Sequence, residues 1–159
     1  MSFRARIGSK AVVGMLAMLA AVSSGAADKP QFLNSPRAQE LDRPFSEAVH
    51  AGDFLYLSGQ IGEDPATAKL PPGGIGPESR QVLANVKRVL EANGASLSDV
   101  VKCTVFLADI SEWATFNTLY REFFKKPYPA RSALGANGLA LNARVELECI
   151  AYVPHKRTR

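Results

Sequence analysis

A chain of 159 residues, 47 % hydrophobic and 21 % charged, is long enough for one domain with its own core. Its 19 basic and 15 acidic residues give a net charge of +4, but Arg4, Arg6 and Lys10 stand at the extreme N-terminus, and without them the count is 16 against 15. A near-neutral remainder argues against a nucleic-acid surface, which needs clustered surplus positive charge.

Residues 1–27 read as a secretory signal peptide. The three basic residues precede an apolar stretch from Ala11 to Val22, and Ser24-Gly25-Ala26-Ala27 supplies the small residues a signal peptidase needs. The apolar stretch is too short for a transmembrane helix, which takes about 20 residues. Export to the periplasm or the exterior is the expectation, with no membrane attachment after cleavage. Residues 28–43, with Pro30 and Pro36, read as an extended polar arm, 44–154 as the folded domain, and 155–159 as a basic tail.

Phe45–Ala51 and Phe54–Gln60 read as two strands turning at Gly52-Asp53. The glycines of Gly73-Gly74-Ile75-Gly76 read as a turn, since no lysine follows for a phosphate and Glu78 repels an anion. Pro77 suits the start of a helix whose Val82, Leu83, Val86, Val89 and Leu90 recur at helical spacing, closed by Gly94. Val100–Leu107 alternates as a strand. Asp109 with Glu112 resembles a capping box for a helix from Ser111 to about Lys125, whose aromatic stripe reads as core. Two strands follow, giving β-β-α-β-α-β-β, an α+β domain with one mixed sheet and two helices on one face.

In the last strand Glu146 and Glu148 share one face, while Val145, Leu147, Cys149 and Ala151 share the other. The carboxylate face also carries Ile150 and Tyr152, too apolar for open water, so association between subunits is expected to cover it. Cys103 and Cys149 each lie on the apolar side of a strand. They could pair if those strands are neighbours, but two buried thiols are the expectation. With His50 and His155 they form no recognisable metal set, and neither metal nor cofactor is expected.

Several segments together resemble the RidA/YjgF/UK114 family of imine deaminases over about Phe45 to Val153. They are Phe45-Ser46-Glu47-Ala48-Val49, Leu57-Ser58-Gly59-Gln60-Ile61, Arg80 to Val86, Val100 to Leu107, Pro129-Ala130-Arg131-Ser132 and Val145-Glu146-Leu147-Glu148. The resemblance implies a chorismate-mutase-like domain in a homotrimer, with sites at the subunit interfaces. It implies hydrolysis of 2-imino acids, or their enamine tautomers, to 2-oxo acids and ammonia. Arg131 matches the family's carboxylate-binding arginine and Glu146 its glutamate at the catalytic water. Phe45, Ser58, Gly59, Asn117 and the backbone at Ala133 match positions lining the pocket. Phe45 departs from the tyrosine common there, Ala133 from a cysteine, and residues 135–142 lack the familiar Leu-Pro.

The chemistry suits those residues. A planar guanidinium grips a carboxylate by two charge-assisted hydrogen bonds. A carboxylate can aim a water at the imine carbon and carry its proton to departing ammonia. Arginine lowers a neighbouring glutamate's pKa and burial raises it, so a base active near neutrality requires burial to win. The competing readings are an interface ion pair between Arg131 and Glu148, a trimer that binds small carboxylates without turnover, a ribonuclease and a chaperone. Glu148 reads as interface structure rather than chemistry.

Overall fold

The computed structural model describes residues 29–154; the signal-peptide reading, Asp28 and the C-terminal tail lie outside them. The elements are β1 (Gln31–Leu33), α1 (Pro36–Glu40), β2 (Ala48–Ala51), β3 (Phe54–Leu57), β4 (Gln60–Ile61), α2 (Ile75–Ala92), β5 (Val100–Leu107), α3 (Trp113–Phe123), β6 (Ala130–Gly135) and β7 (Val145–Tyr152). The sheet order is β1-β2-β3-β7-β5-β6, with β4 also pairing β7. Every pair is antiparallel except β5 with β6, which α3 joins by a crossover.

The expected α+β fold is present, with two additions and a few shifted boundaries. The arm is not simply extended. Gln31–Leu33 pairs with β2, and Ser35 caps the short α1 by accepting the Ala38 N–H. The carboxylate of Glu47 fastens this arm, accepting from Ser35 N at 2.7 Å and from Arg88 at 3.2 Å. The second strand breaks at Ser58-Gly59, so β3 pairs with one end of β7 and β4 with the other. Helix α2 starts at Ile75, two residues before Pro77, and a 3₁₀ turn over Ile110–Glu112 precedes α3.

Both long helices cover one face of the sheet, as expected. Val82, Leu83, Val86, Val89 and Leu90 of α2 and Phe116, Leu119 and Tyr120 of α3 join Val145, Leu147, Cys149 and Ala151 of β7 in one buried core. Alternation along β7 places Glu146, Glu148, Ile150 and Tyr152 on the opposite, uncovered face.

The two-thiol expectation for the cysteines is overturned: Cys103 and Cys149 form a disulfide. They are direct partners in the antiparallel register of β5 and β7, with Cα atoms 4.1 Å apart. Neighbouring strands in that register satisfy the condition under which pairing was open.

Two buried polar side chains of α2 fix the strands near the site. Asn85 donates to the carbonyls of Ile61 and Glu63 at 2.9 and 2.8 Å, closing the end of β4. Glu78 accepts from Arg144 N at 2.7 Å and so holds the entrance to β7. Hydrogen bonds of this kind offset much of the cost of burying such groups.

Candidate active site

Arg131 enters from β6, the edge strand beside β5, where it stands level with Cys103. That register turns it toward the helices. Its guanidinium donates to Asn117 Oδ1 of α3 and lies 4.5 Å from the ring centroid of Tyr120 and 5.9 Å from that of Phe116. Asn117 follows Phe116 directly and precedes Tyr120 by three residues, so one face of α3 presents all three groups. The Tyr120 ring stacks in turn on Phe124, with centroids 4.4 Å apart. A cation over an aromatic face gains attraction without being neutralised.

Among the described residues no carboxylate pairs with Arg131, and its contacts leave donors free for a ligand. An ion pair with Glu148 does not form within the chain, because Glu148 stands level with Thr104 on the uncovered face. Arg131, Asn117 and Tyr120 border one cleft with Trp113, Tyr128 and Pro129. The Tyr120 hydroxyl is buried without a hydrogen-bond partner. Burial pushes it up to about 12, with Arg131 pulling weakly the other way.

Glu146 enters from β7, level with Phe106 of β5 and Ile61 of β4. It borders a second cleft with Phe45, Gly59, Ile61, Ala140 and Leu141. Gly59 is required here by close approach: a Cβ on it would stand 1.9 Å from Glu146 Oε1. The break in the strand at Ser58-Gly59 therefore lets the carboxylate lie against backbone. Burial raises the Glu146 pKa, and the like charge of Glu148 raises it further. Arg43 borders the same cleft but pairs with Glu63, and among the described residues no arginine pairs with Glu146, so burial wins the contest posed by the sequence.

Three of the five remaining predicted residues line the two clefts, and Ser58 and Ala133 line neither. Phe45 and Gly59 stand with Glu146, and Asn117 stands with Arg131. Ala133 lies two residues along β6 from Arg131, with its side chain against the core. The Ser58 hydroxyl donates to Ser46 O at 2.6 Å, which leaves it turned to the backbone. The chain thus forms two half-sites on opposite faces of one sheet, and does not bring Arg131 and Glu146 together.

Sequence reasoning assigned no site role to Trp113, Tyr120, Tyr128 or Leu141. For Tyr120 a signal existed, its spacing from Phe116 and Asn117, but the same spacing serves a core stripe. For Leu141 none existed, since its place beside Glu146 depends on a left-handed backbone, φ 56 and ψ 20.

Comparison with known proteins agrees with this architecture. Residues 36–153 match the model of the family described as endoribonuclease L-PSP. A protein of Dermatophagoides farinae named 2-iminobutanoate/2-iminopropanoate deaminase is 41 % identical over 77 % of this chain and 96 % of its own length. A Bos taurus protein of the same name is 40 % identical, over 76 % of this chain and 88 % of its own. The crystal structure of the YjgF gene product from E. coli superposes with a TM-score of 0.71 at 34 % identity, covering 77 % of this chain and 98 % of that one. The chain belongs to the endoribonuclease L-PSP family, the family of the RidA and YjgF proteins.

Proposed function

We propose that the protein is an imine deaminase that hydrolyses 2-imino acids, or their enamine tautomers, to 2-oxo acids and ammonia. Its relatives at about 40 % identity bear the name 2-iminobutanoate/2-iminopropanoate deaminase. The observation that carries the reading to particular residues is the pairing of opposites. Arg131 is a braced guanidinium with no carboxylate partner among the described residues, and Glu146 is a carboxylate whose pKa burial raises.

In this mechanism Arg131 holds the substrate carboxylate in a bidentate grip. Glu146, ionised, takes a proton from a water as the water's oxygen bonds to the imine carbon. The substrate reacts as the iminium, so the C=N π pair moves to a nitrogen that already carries its protons, giving a neutral carbinolamine. Glu146 then hands its proton to that nitrogen and the C–N bond breaks; ammonia leaves as the hydroxyl oxygen forms the carbonyl of the 2-oxo acid, and the hydroxyl proton returns to Glu146 and is released as ammonium or to water. A raised pKa suits both halves of this transfer.

Because the half-sites lie on opposite faces, the reading calls for a homotrimer in which the Arg131 side of one subunit meets the Glu146 side of the next. Two features support it. The uncovered face exposes Phe54, Tyr56 and Tyr152, with Phe54 and Tyr152 in edge contact at 5.4 Å. Strand β6, which carries Arg131, is an edge strand with one row of backbone groups unpaired in the sheet. We also infer export: the leader reading and the Cys103–Cys149 disulfide both suit an oxidising compartment. The ribonuclease reading has less to stand on, since the chain without its leader is nearly neutral and its histidines, His50 and His155, form no sequence motif.

The test is the release of ammonia from 2-iminopropanoate generated in situ by an amino-acid oxidase. Acceleration over spontaneous decay, lost in Arg131→Ala and in Glu146→Gln, is the expected result. Wild-type protein that leaves the spontaneous rate unchanged removes the assignment for this substrate. A carboxylate-binding trimer without turnover would bind pyruvate but give that negative outcome.

A further inference from the structure

The two clefts share a chemical character that imine hydrolysis by itself does not require. In front of Arg131 lies a cleft of about 310 Å³ walled by Trp113, Tyr128 and Pro129. Trp113 and Tyr128 are 44 % and 45 % exposed, so their rings form a wall rather than core. Beside Glu146 lies a cleft of about 380 Å³ bordered by Phe45, Ile61 and Leu141, with Arg43 and Glu63, ion-paired to each other at 3.1 Å, also on its lining. Leu141 is 61 % exposed and holds φ 56, and Asn142 after it holds φ 60. Non-glycine residues seldom adopt that backbone, and where they do it clusters at ligand clamps and active sites.

Resting on the imine-deaminase reading of Arg131 and Glu146, we propose that the preferred substrates are 2-imino acids with large apolar side chains, aromatic or branched aliphatic. An imino acid has one carboxylate and one side chain on the carbon under attack. With the carboxylate on Arg131 and the carbon presented to Glu146, the side chain runs along the walls between them. A methyl group covers little of such walls and leaves them wet, since each cleft has room for several waters at about 30 Å³ apiece. A phenyl or isobutyl group displaces that water and packs against Trp113, Tyr128, Phe45 and Leu141. Aromatic rings gain further from offset or edge-on contact with one another. In an apolar pocket a single methylene changes kcat/KM by about tenfold or more. Arg121 also borders the Arg131 cleft, which makes an acidic side chain the competing class.

The experiment compares four imines generated in situ, from alanine, leucine and phenylalanine by an amino-acid oxidase and from aspartate by an aspartate oxidase. The expected result is a kcat/KM at least about tenfold higher for the phenylalanine and leucine imines than for the alanine imine. Trp113→Ala and Leu141→Ala are each expected to lower the phenylalanine-to-alanine ratio about tenfold or more. Turnover led by the alanine or the aspartate imine overturns the preference and leaves the deaminase reading standing. Turnover of none of the four overturns the deaminase reading itself. If both variants slow every imine by one common factor, the walls do not select the side chain and the proposal fails.

Discussion

Arg131 and Glu146 face away from each other across one sheet: Arg131 stands level with Cys103 on the helix-covered side, and Glu146 stands level with Phe106 on the open side. One side chain cannot be brought to the other without unmaking β5, which separates β6 from β7. If both serve one reaction, they come from different copies of the chain.

Complementation checks this directly. Arg131→Ala and Glu146→Gln are each expected to be inactive alone. Refolded together in equal amounts, they should regain about one quarter of wild-type activity, because random pairing at a head-to-tail seam leaves that share of sites intact. Steady-state rates of the mixture against each parent provide the measurement, and a mixture as inactive as its parents rules out a shared site.

The ring beneath Arg131 gives a second prediction. Tyr120→Phe keeps the ring and removes a buried hydroxyl that has no partner, so activity should persist and stability rise by about 1 kcal/mol. Tyr120→Leu removes the cation–π contact, worth about 1–2 kcal/mol when desolvated, and should raise KM about tenfold while kcat changes less. Kinetics and thermal melts of the two variants separate bracing from packing.

A third concerns pH. In the proposed mechanism Glu146 acts as a base only when ionised, and burial and Glu148 both raise its pKa. Activity should therefore rise with pH through that raised value. Glu148→Gln removes the like charge and should move the acidic limb of kcat/KM to lower pH, leaving the part due to burial. The folded-state pKa lies above the unfolded one, so the stabilising contribution is complete below the unfolded pKa and fades as pH rises through the folded value. Glu146→Gln, which never ionises, should lose this fading, as urea titrations at acid and neutral pH would reveal.

Gly59 offers a fourth test. A methyl group there would strike the Glu146 carboxylate at 1.9 Å, and the carboxylate is the movable end of a flexible side chain. Gly59→Ala should thus cost little stability but displace the base, lowering kcat by at least about tenfold, the equivalent of 1.4 kcal/mol in the barrier. Unchanged kcat with an unchanged melting temperature would show that the carboxylate works from another position.

The disulfide supplies the fifth. It joins strands whose cysteines are 46 residues apart, and the chain-entropy account gives such a loop about 4 kcal/mol. Cys103→Ala/Cys149→Ala should melt well below wild type, and reductant should lower only the wild-type curve.

Much of this was legible in the chain. Alternation in Val145–Tyr152 separated the two glutamates from the core residues, and helical spacing from Val82 to Leu90 identified the buried stripe of α2. What stayed hidden depends on register. Alternation alone does not say which strand lies beside which, so it left open whether Cys103 meets Cys149, and it gave no sign that Arg131 and Glu146 diverge. The pairing of Gln31–Leu33 with β2 escaped for a related reason: three residues are too few to show a period. Tyr120 illustrates a different limit, because a ring that braces a guanidinium and a ring that fills a core occupy the same helical position.

The loop that presents Leu141 is pinned at both ends by bonds independent of its own sequence. Before it, Ala136 N donates to Leu107 O at 2.8 Å; after it, Arg144 N donates to the Glu78 carboxylate at 2.7 Å and Arg144 O accepts from Ala108 N at 3.0 Å. Residues 137–142 therefore form an exchangeable cassette between fixed posts, with Ala143 buried behind them. A library confined to those positions could retune which imines enter while the strand bearing Glu146 keeps its place, which makes this short stretch the natural starting point for engineering the enzyme toward new substrates.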